Sequence, residues 1–222
     1  MSEAAVAIIH ARKPEESVLL MRRAEREGDS WSGHWSFPGG RRDPKDRDLL
    51  DTALRELQEE CGIVLGREQM EVALPHTIAR RKAPPFLEVA PFVFGVEEPL
   101  PTVLDPREAA GATWVPLRLL RHSDAHVLRA VPGRPREMLF PTVELHGPPL
   151  WGFTYRLASS WLGLDPKSQP IERAGAEAAA VVLEFLLAQG LTIARGWENR
   201  VALVNGPIPV DLVIEHFAAP AR

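Results

Sequence analysis

Residues 37–63 read FPGGRRDPKDRDLLDTALRELQEECGI, and this stretch holds the most informative pattern in the chain. A proline followed by two glycines disfavours regular structure and lets the backbone of Gly39 and Gly40 come close to a ligand. Further on, either Asp46 or Asp48 can cap a helix, and Gly62 suits the left-handed residue that ends one. Between these caps, apolar residues at helical spacing predict a buried stripe of Leu50, Ala53 or Leu54, Leu57 and Cys61.

Three carboxylates lie on one side of this predicted helix. Glu56, Glu59 and Glu60 are spaced i, i+3 and i+4, so they project together, away from Leu57. Neighbouring like charges on an exposed helix repel by roughly 0.2–0.5 kcal/mol for each pair, and a divalent cation would turn that repulsion into attraction. Hard oxygen ligands at this density favour Mg²⁺ or Mn²⁺ over zinc. The alternative is a solvated acidic helix face, the commoner fate of a Glu-Glu pair taken alone.

The whole stretch resembles the Nudix box, whose pattern is G-x5-E-x7-R-E-U-x-E-E-x-G-U with U an aliphatic residue. The second half of the box matches at every specified position, which are Arg55, Glu56, Leu57, Glu59, Glu60, Gly62 and Ile63. The first half departs from it, because Gly40 and Arg55 stand one residue too far apart. The residue eight positions before Arg55 is Arg47, with Asp46 and Asp48 on either side as acidic candidates.

The resemblance implies an α/β fold, namely a Nudix-type α/β/α sandwich with a mixed sheet, and hydrolysis of a pyrophosphate bond. It assigns Glu56, Glu59 and Glu60 as catalytic ligands of Mg²⁺ or Mn²⁺ and Arg55 as the residue that orients them. In that chemistry the metal polarises a phosphoryl oxygen and activates a water, which attacks one phosphorus while the other phosphate leaves. A carboxylate must take the proton, and Glu59, Glu60 and the loop residue Glu108 all remain candidates.

A narrower resemblance concerns the substrate. Residues 37–44, 52–56, 114–117 and 150–154 are similar to the coenzyme A pyrophosphatase branch of the superfamily. The branch also expects L-L-T-x-R-S-x3-R-x3-G upstream, where this chain has Leu19-Leu20-Met21-Arg22-Arg23-Ala24 and Gly33. We therefore expect a nucleoside diphosphate linked to another moiety, with coenzyme A or a derivative first and ADP-ribose or a nucleotide sugar next. A non-catalytic, nucleotide-binding regulator with the same fold is the hypothesis from another class.

Five residues are candidates for binding this small pyrophosphate substrate. The resemblance implies that Gly39 and Gly40 let the loop pack against the catalytic helix. Arg23 and Arg41 could supply positive charge for the phosphates, although most such arginines are simply solvated. His34 leads into the glycine loop and could touch a phosphate, and a packed or loop-capping histidine is an equal alternative.

The rest of the chain predicts a main domain over residues 1–164 and an α+β extension over residues 165–222. In the main domain we expect strands at residues 4–9, 17–21, 70–74, 86–96, 112–115 and 136–140, and helices at 116–121 and 150–162. In the extension we expect a linker at residues 165–170, helices at 171–189 and 210–217, and strands at 191–194 and 201–204. The apolar faces of the extension must be buried on the main domain or on a second subunit, as in a homodimer.

Composition narrows the function classes. The formal net charge of −4 argues against a general nucleic-acid binder, which needs many basic residues to neutralise phosphates. A single cysteine, Cys61, excludes an intramolecular disulfide and a cysteine-based metal cage. No apolar segment is long enough to span a bilayer and no secretion signal is evident at the N-terminus, so we expect a cytoplasmic protein without a membrane partner.

Overall fold

A computed structural model of the chain describes residues 2–28, 31–79, 87–131, 134, 139–164, 192–195, 200–204 and 210–215. The strands before residue 165 are β1 Ser2–Ala11, β2 Ser17–Arg23, β3 Trp35–Ser36, β4 Gly39–Arg41, β5 Met70–Ala73, β6 Thr77–Ala79, β7 Leu87–Val96, β8 Ala109–Pro116, β9 His126–Ala130, β10 Leu139–Val143 and β11 Leu150–Trp151. The α-helices are α1 Leu49–Cys61, α2 Leu117–Arg121 and α3 Gly152–Trp161. The later strands are β12 Thr192–Arg195, β13 Arg200–Val204 and β14 Val210–Glu215.

The main sheet is mixed and has eight strands. Its central path runs β3-β2-β1-β7-β5, and β4, β6 and β8 pair with β1, β7 and β2 respectively. Strands β1 and β7 run parallel along their whole length, and the other pairs are antiparallel. Two smaller antiparallel sheets are formed by β9-β10-β11 and by β12-β13-β14.

Both faces of the main sheet are apolar because its central strands alternate between two cores. Ile9 and Leu19 point into the core beneath α1, whereas Ile8 and Leu20 point into the core that includes α2 and α3. Successive side chains of a strand face opposite sides of a sheet, so each strand serves both layers. The predicted α/β/α sandwich with a mixed sheet is confirmed.

Helix α1 begins and ends where the sequence placed its caps. The side chain of Asp48 accepts a hydrogen bond from the Asp51 N–H at 2.9 Å, which makes Asp48 the N-cap. Gly62 ends the helix in the left-handed conformation, with φ of 67°. The expected stripe, with Ala53 and Leu57 at its centre, is buried against the sheet.

Several expectations for the main domain were incomplete or wrong. The glycine loop is not irregular throughout, because Gly39–Arg41 form β4 and pair with residues 4–6 of β1. The segment expected as a helix from residue 150 begins with the two-residue strand β11, which pairs with β10. Strand β10 lies later than predicted, and residues 135–138 fall outside the described part of the chain. Strands β3, β6 and β9 were not predicted, since each is short and lacks a clear apolar alternation.

The C-terminal region corrects one prediction. The strands expected near residues 191–194 and 201–204 are confirmed as β12 and β13. The helix expected at residues 210–217 is wrong, because Val210–Glu215 form β14 and pair with β13. The β-branched residues Val210, Val213 and Ile214 favour an extended chain once a partner strand is available. The linker at 165–170 and the helix at 171–189 lie outside the described residues.

Within the described part of the chain, no helix has the length and apolar character that crossing a membrane requires.

Candidate active site

Arg55 of α1 binds the carboxylate of Asp46 through two parallel hydrogen bonds. Its Nε and Nη2 donate to Oδ1 and Oδ2 of Asp46, both at 3.0 Å. The buried Asp46 carboxylate also accepts from the Asp43 N–H at 3.0 Å and the Thr52 hydroxyl at 2.8 Å. The Arg55 hydrogen bonds lower the pKa of Asp46 to about 2. Of the two acidic candidates, Asp46 is therefore the one that contacts Arg55, and Asp48 caps the helix.

The same guanidinium contacts two of the three predicted metal ligands. Arg55 Nη1 donates to Oε1 of Glu56 at 2.7 Å and to Oε2 of Glu59 at 2.9 Å. Its Nη2 also donates to the backbone carbonyl of Arg41 at 3.0 Å. Arg55 thus offsets the repulsion between neighbouring carboxylates and connects α1 to β4.

Glu60 is the buried member of the three carboxylates, with 4% of its surface exposed. Its Oε2 accepts a hydrogen bond from the Gly39 N–H at 2.8 Å. Burial raises the pKa of Glu60 to about 8, and the negative charges of Glu56 and Glu108 add to this rise. The hydrogen bond from Gly39 and the positive charge of Arg23 lower the pKa but do not cancel the effect of burial. Negative charge is therefore costly at Glu60 unless a cation compensates it.

Gly39 and Gly40 have no room for a side chain. A Cβ at Gly39 would overlap the backbone carbonyl of Ala5 in the central strand. A Cβ at Gly40 would stand 2.5 Å from Oε1 of Glu56 and would displace that carboxylate. The two glycines let β4 pass between β1 and the acidic face of α1. The resemblance implied this packing of the glycine loop against the helix.

The three carboxylates do not converge on one point in this arrangement. Among the described residues, no three acidic, histidine or cysteine side chains are grouped closely enough to hold a metal ion as they stand. The donor chemistry nevertheless fits a hard divalent cation, because all three groups are carboxylates. Burial also raises the pKa of Glu56, as it does for Glu60, so both sites favour a compensating positive charge. Glu59 is 58% exposed in its side chain and is free to turn from Arg55.

A loop over residues 101–108 borders the end of α1 that carries Glu60. The Val103 N–H donates to the carbonyl of Cys61 at 2.8 Å, and the Asp105 N–H donates to the carbonyl of Glu60 at 3.3 Å. The loop also carries Glu108, whose charge acts on Glu60. Arg26 pairs with Glu108 at 2.8 Å and also donates to the Arg107 carbonyl, which joins this loop to the segment after β2.

The remaining predicted binding residues occupy different surroundings. Arg23 lies close enough to Glu60 for its charge to lower the pKa of that carboxyl group. Arg41 has an exposed side chain and contributes its backbone carbonyl to Arg55. The ring of His34 meets the ring of Trp151 edge-on at 5.1 Å between centroids. The charge of Arg23 therefore acts on the acidic site, and His34 lies among aromatic side chains.

Sequence reasoning missed two contributions to this region. It left the partner of Arg55 open, because Asp46 stands at the spacing of the box from Gly40 but one residue too far from Arg55. It did not single out Arg26, because a lone arginine in a polar loop carries no local signal. Three-dimensional pairing identifies both residues: Asp46 by its twin hydrogen bonds and Arg26 by its ion pair with Glu108.

The NUDIX domain family matches residues 1–133, which contain the glycine loop, α1 and the loop with Glu108. The chain belongs to the Nudix family. The matched segment is more than half of the 222 residues and includes every site residue described above.

Two relatives and one solved structure set this Nudix domain in context. It is 35% identical over 120 residues to the uncharacterized Nudix hydrolase NudL of Yersinia pestis, covering 51% of this chain and 55% of NudL. It is 36% identical over 104 residues to the uncharacterized protein C14C4.10c of Schizosaccharomyces pombe, covering 45% of this chain and 32% of that protein. The chain thus spans about half of the one relative and a third of the other.

The fold is shared with the crystal structure of a MutT/nudix family protein from Enterococcus faecalis. The TM-score is 0.53 at 19% sequence identity, and the match covers 83% of this chain and 73% of that one. At this identity the likeness establishes the Nudix fold and leaves substrate choice to the site residues.

Proposed function

We propose that the chain is a divalent-metal-dependent pyrophosphohydrolase, which cleaves the pyrophosphate bond of a nucleoside diphosphate linked to another moiety. The observation that carries the proposal is the arrangement around Arg55. This residue binds Asp46, Glu56 and Glu59 on the helix that also holds the buried Glu60. A solvated acidic face would not need a buried carboxylate fixed by a backbone N–H.

In this proposal Glu56, Glu59 and Glu60 hold Mg²⁺ or Mn²⁺, which when bound polarises a phosphoryl oxygen and activates water. Arg55 is a positioning residue that keeps Glu56 and Glu59 on the same side of α1. Gly39 holds one oxygen of Glu60 and leaves the other for a ligand. The proton of the attacking water goes to a nearby carboxylate, and Glu59, Glu60 and Glu108 are the candidates.

For the substrate, coenzyme A or a derivative comes first, and ADP-ribose or a nucleotide sugar comes second. Support for coenzyme A comes from the resemblance of residues 37–44, 52–56, 114–117 and 150–154 to that branch. Arg23, Arg41, His34, Gly39 and Gly40 are the proposed substrate-binding set. Of these, Arg23 has the strongest support because its charge reaches Glu60.

We further infer that residues 1–164 form the catalytic domain and that residues 165–222 form an extension. Described residues up to 164 contain both apolar cores and every proposed site residue. We also propose that the substrate is a small molecule, that the protein is cytoplasmic and that it forms a homodimer.

The test is a panel of pyrophosphate compounds that includes coenzyme A, ADP-ribose and nucleotide sugars, incubated with Mg²⁺ or Mn²⁺. Product masses identify the bond that breaks. We expect Glu59→Gln and Glu60→Gln each to lower kcat by about a hundredfold or more, the contribution of a positioned acid–base or metal group. Glu98→Gln, at an exposed position just after β7, is the matched control and should retain full activity.

Two outcomes would overturn the proposal. Equal turnover by wild type, Glu59→Gln and Glu60→Gln would exclude the acidic site. Binding of these compounds by the wild type with no product from any of them, with either metal, would instead favour the non-catalytic regulator.

A further inference from the structure

Four side chains form an aromatic row beside the proposed site. Trp31 meets His34 edge-on at 6.5 Å between ring centroids, and His34 meets Trp151 edge-on at 5.1 Å. Phe140 tilts against Trp151 at 5.3 Å. Edge-to-face contacts at these distances are favourable, so each ring of the row steadies the next.

The two tryptophans of the row differ in what they offer to a ligand. Trp151 is 9% exposed, and the guanidinium of Arg134 lies over its ring at 5.9 Å. Trp31 is 37% exposed. Among the described residues, the other large apolar side chains with this much exposure are three valines, so Trp31 is the aromatic member of that set. Trp151 therefore belongs to the framework, and Trp31 presents a ring surface to solvent.

Two residues that follow Trp31 hold its segment, because Ser32 and His34 accept hydrogen bonds from the backbone N–H groups of Arg26 and Arg23. The His34 carbonyl accepts a hydrogen bond from the Arg23 N–H at 3.0 Å, and the Arg23 charge acts on Glu60. Ser32, the residue directly after Trp31, accepts a hydrogen bond at Oγ from the Arg26 N–H at 2.8 Å. Arg26 in turn pairs with Glu108, which also acts on Glu60. Trp31 thus stands on a segment anchored at the edge of the acidic site.

We propose that the exposed ring of Trp31 is the stacking surface for the nucleobase of the substrate, with His34 and Trp151 as its support. The inference rests on the proposed function, because it takes the diphosphate to lie between Arg23 and the carboxylates of α1. A nucleotide combines the two chemistries that this region offers, a flat π surface and an anionic group next to arginine. Every base has a π-face, so a single tryptophan gives affinity for bases without choosing strongly among them.

The test compares AMP with ribose 5-phosphate in binding to the full chain by titration calorimetry in the presence of Mg²⁺. The two ligands share the phosphorylated ribose and differ in the base. Neither contains a pyrophosphate bond, so binding is measured without turnover. We expect the wild type to bind AMP more tightly than ribose 5-phosphate. Trp31→Ala should raise the Kd of AMP about 5- to 150-fold and leave that of ribose 5-phosphate unchanged, the range expected for loss of base–aromatic stacking.

Trp31→Phe is the matched variant, because it keeps an aromatic face. We expect it to retain most of the preference for AMP. Equal affinities of the wild type for AMP and ribose 5-phosphate would overturn the inference. An unchanged affinity of Trp31→Ala for AMP would also overturn the inference. If that variant also changed its oligomeric state, the ring would be covered by a second copy of the chain and not by a base. None of these results depends on hydrolysis, so a failure here is distinguishable from a failure of the pyrophosphohydrolase proposal.

Discussion

Replacing Asp46 by Asn removes the charge that Arg55 binds and keeps the size of the side chain. Asp46 is buried and receives four hydrogen bonds, two of which come from the guanidinium at 3.0 Å. Hydrogen bonds to charged groups contribute roughly 1.5–3 kcal/mol each, and breaking a buried ion pair by removing one partner costs about 3–5 kcal/mol. The amide oxygen of Asn can keep one bond to Arg55, so we expect a loss of about 3 kcal/mol in the free energy of unfolding.

Urea unfolding followed by circular dichroism measures this loss. Glu97→Gln is the control, because it removes one member of the exposed pair with Lys13, in which both side chains are about two-thirds exposed. An exposed ion pair contributes roughly 0–1 kcal/mol to the free energy of unfolding. If Asp46→Asn and Glu97→Gln destabilise the protein equally, the buried pair with Arg55 has no special role in the fold.

The pH dependence gives a second check on the same residue. The pKa of Asp46 falls from 3.8 to about 2 on folding, chiefly through its hydrogen bonds with Arg55. The unfolded state therefore binds more protons between these values, and the stabilisation is fully present above pH 4 and lost as the pH falls towards 2. The difference in unfolding free energy between wild type and Asp46→Asn should shrink over this window. A constant difference from pH 5 to pH 2 would refute the assignment.

Three further changes probe other parts of the structure. Gly40→Ala should lower kcat by about a hundredfold, because the new Cβ displaces Glu56 and small misplacements at a reacting centre are that costly; unchanged steady-state kinetics would contradict the close approach. Tyr155→Phe should lower the free energy of unfolding by about 1–3 kcal/mol, because the buried His126 Nδ1 loses its hydrogen-bond partner, the Tyr155 hydroxyl at 2.8 Å. An unchanged midpoint of urea unfolding would contradict a stabilising role for that hydrogen bond. Gly62→Ala should lower the free energy of unfolding by about 1 kcal/mol or more, because φ is positive at this position and the new Cβ would overlap Val103. A thermal unfolding midpoint equal to that of the wild type would exclude this strain.

The sequence predicted α1 and its surroundings well because that information is local. Helical spacing, the Asp48 cap and the left-handed Gly62 all act within a few residues of one another. The strands that were missed depend on distant partners instead. Strand β4 exists because β1 offers hydrogen bonds to Gly39–Arg41, and β14 exists because β13 does the same for Val210–Glu215. Neither partner is visible in a short window of sequence.

In the candidate site, too, some features follow from local sequence and others depend on distant parts of the chain. The shared side of Glu56, Glu59 and Glu60 follows from helix geometry, but their different environments do not. Burial makes Glu60 distinct from the exposed Glu59, and burial depends on how β4 crosses the helix. The pairing of Asp46 with Arg55 also needed the structure, because Asp46 stands nine residues before Arg55 and not the eight of the box.

The hydrogen bond from the Gly39 N–H to Glu60 ties a proposed catalytic carboxylate to a strand paired with the centre of the main sheet. Because Glu60 is buried, solvent reaches that amide only when the carboxylate and α1 separate from β4. Its hydrogen exchange should therefore follow the opening of the whole domain. In rising denaturant, turnover and the native fold should disappear at the same concentration, with no inactive, folded state between them.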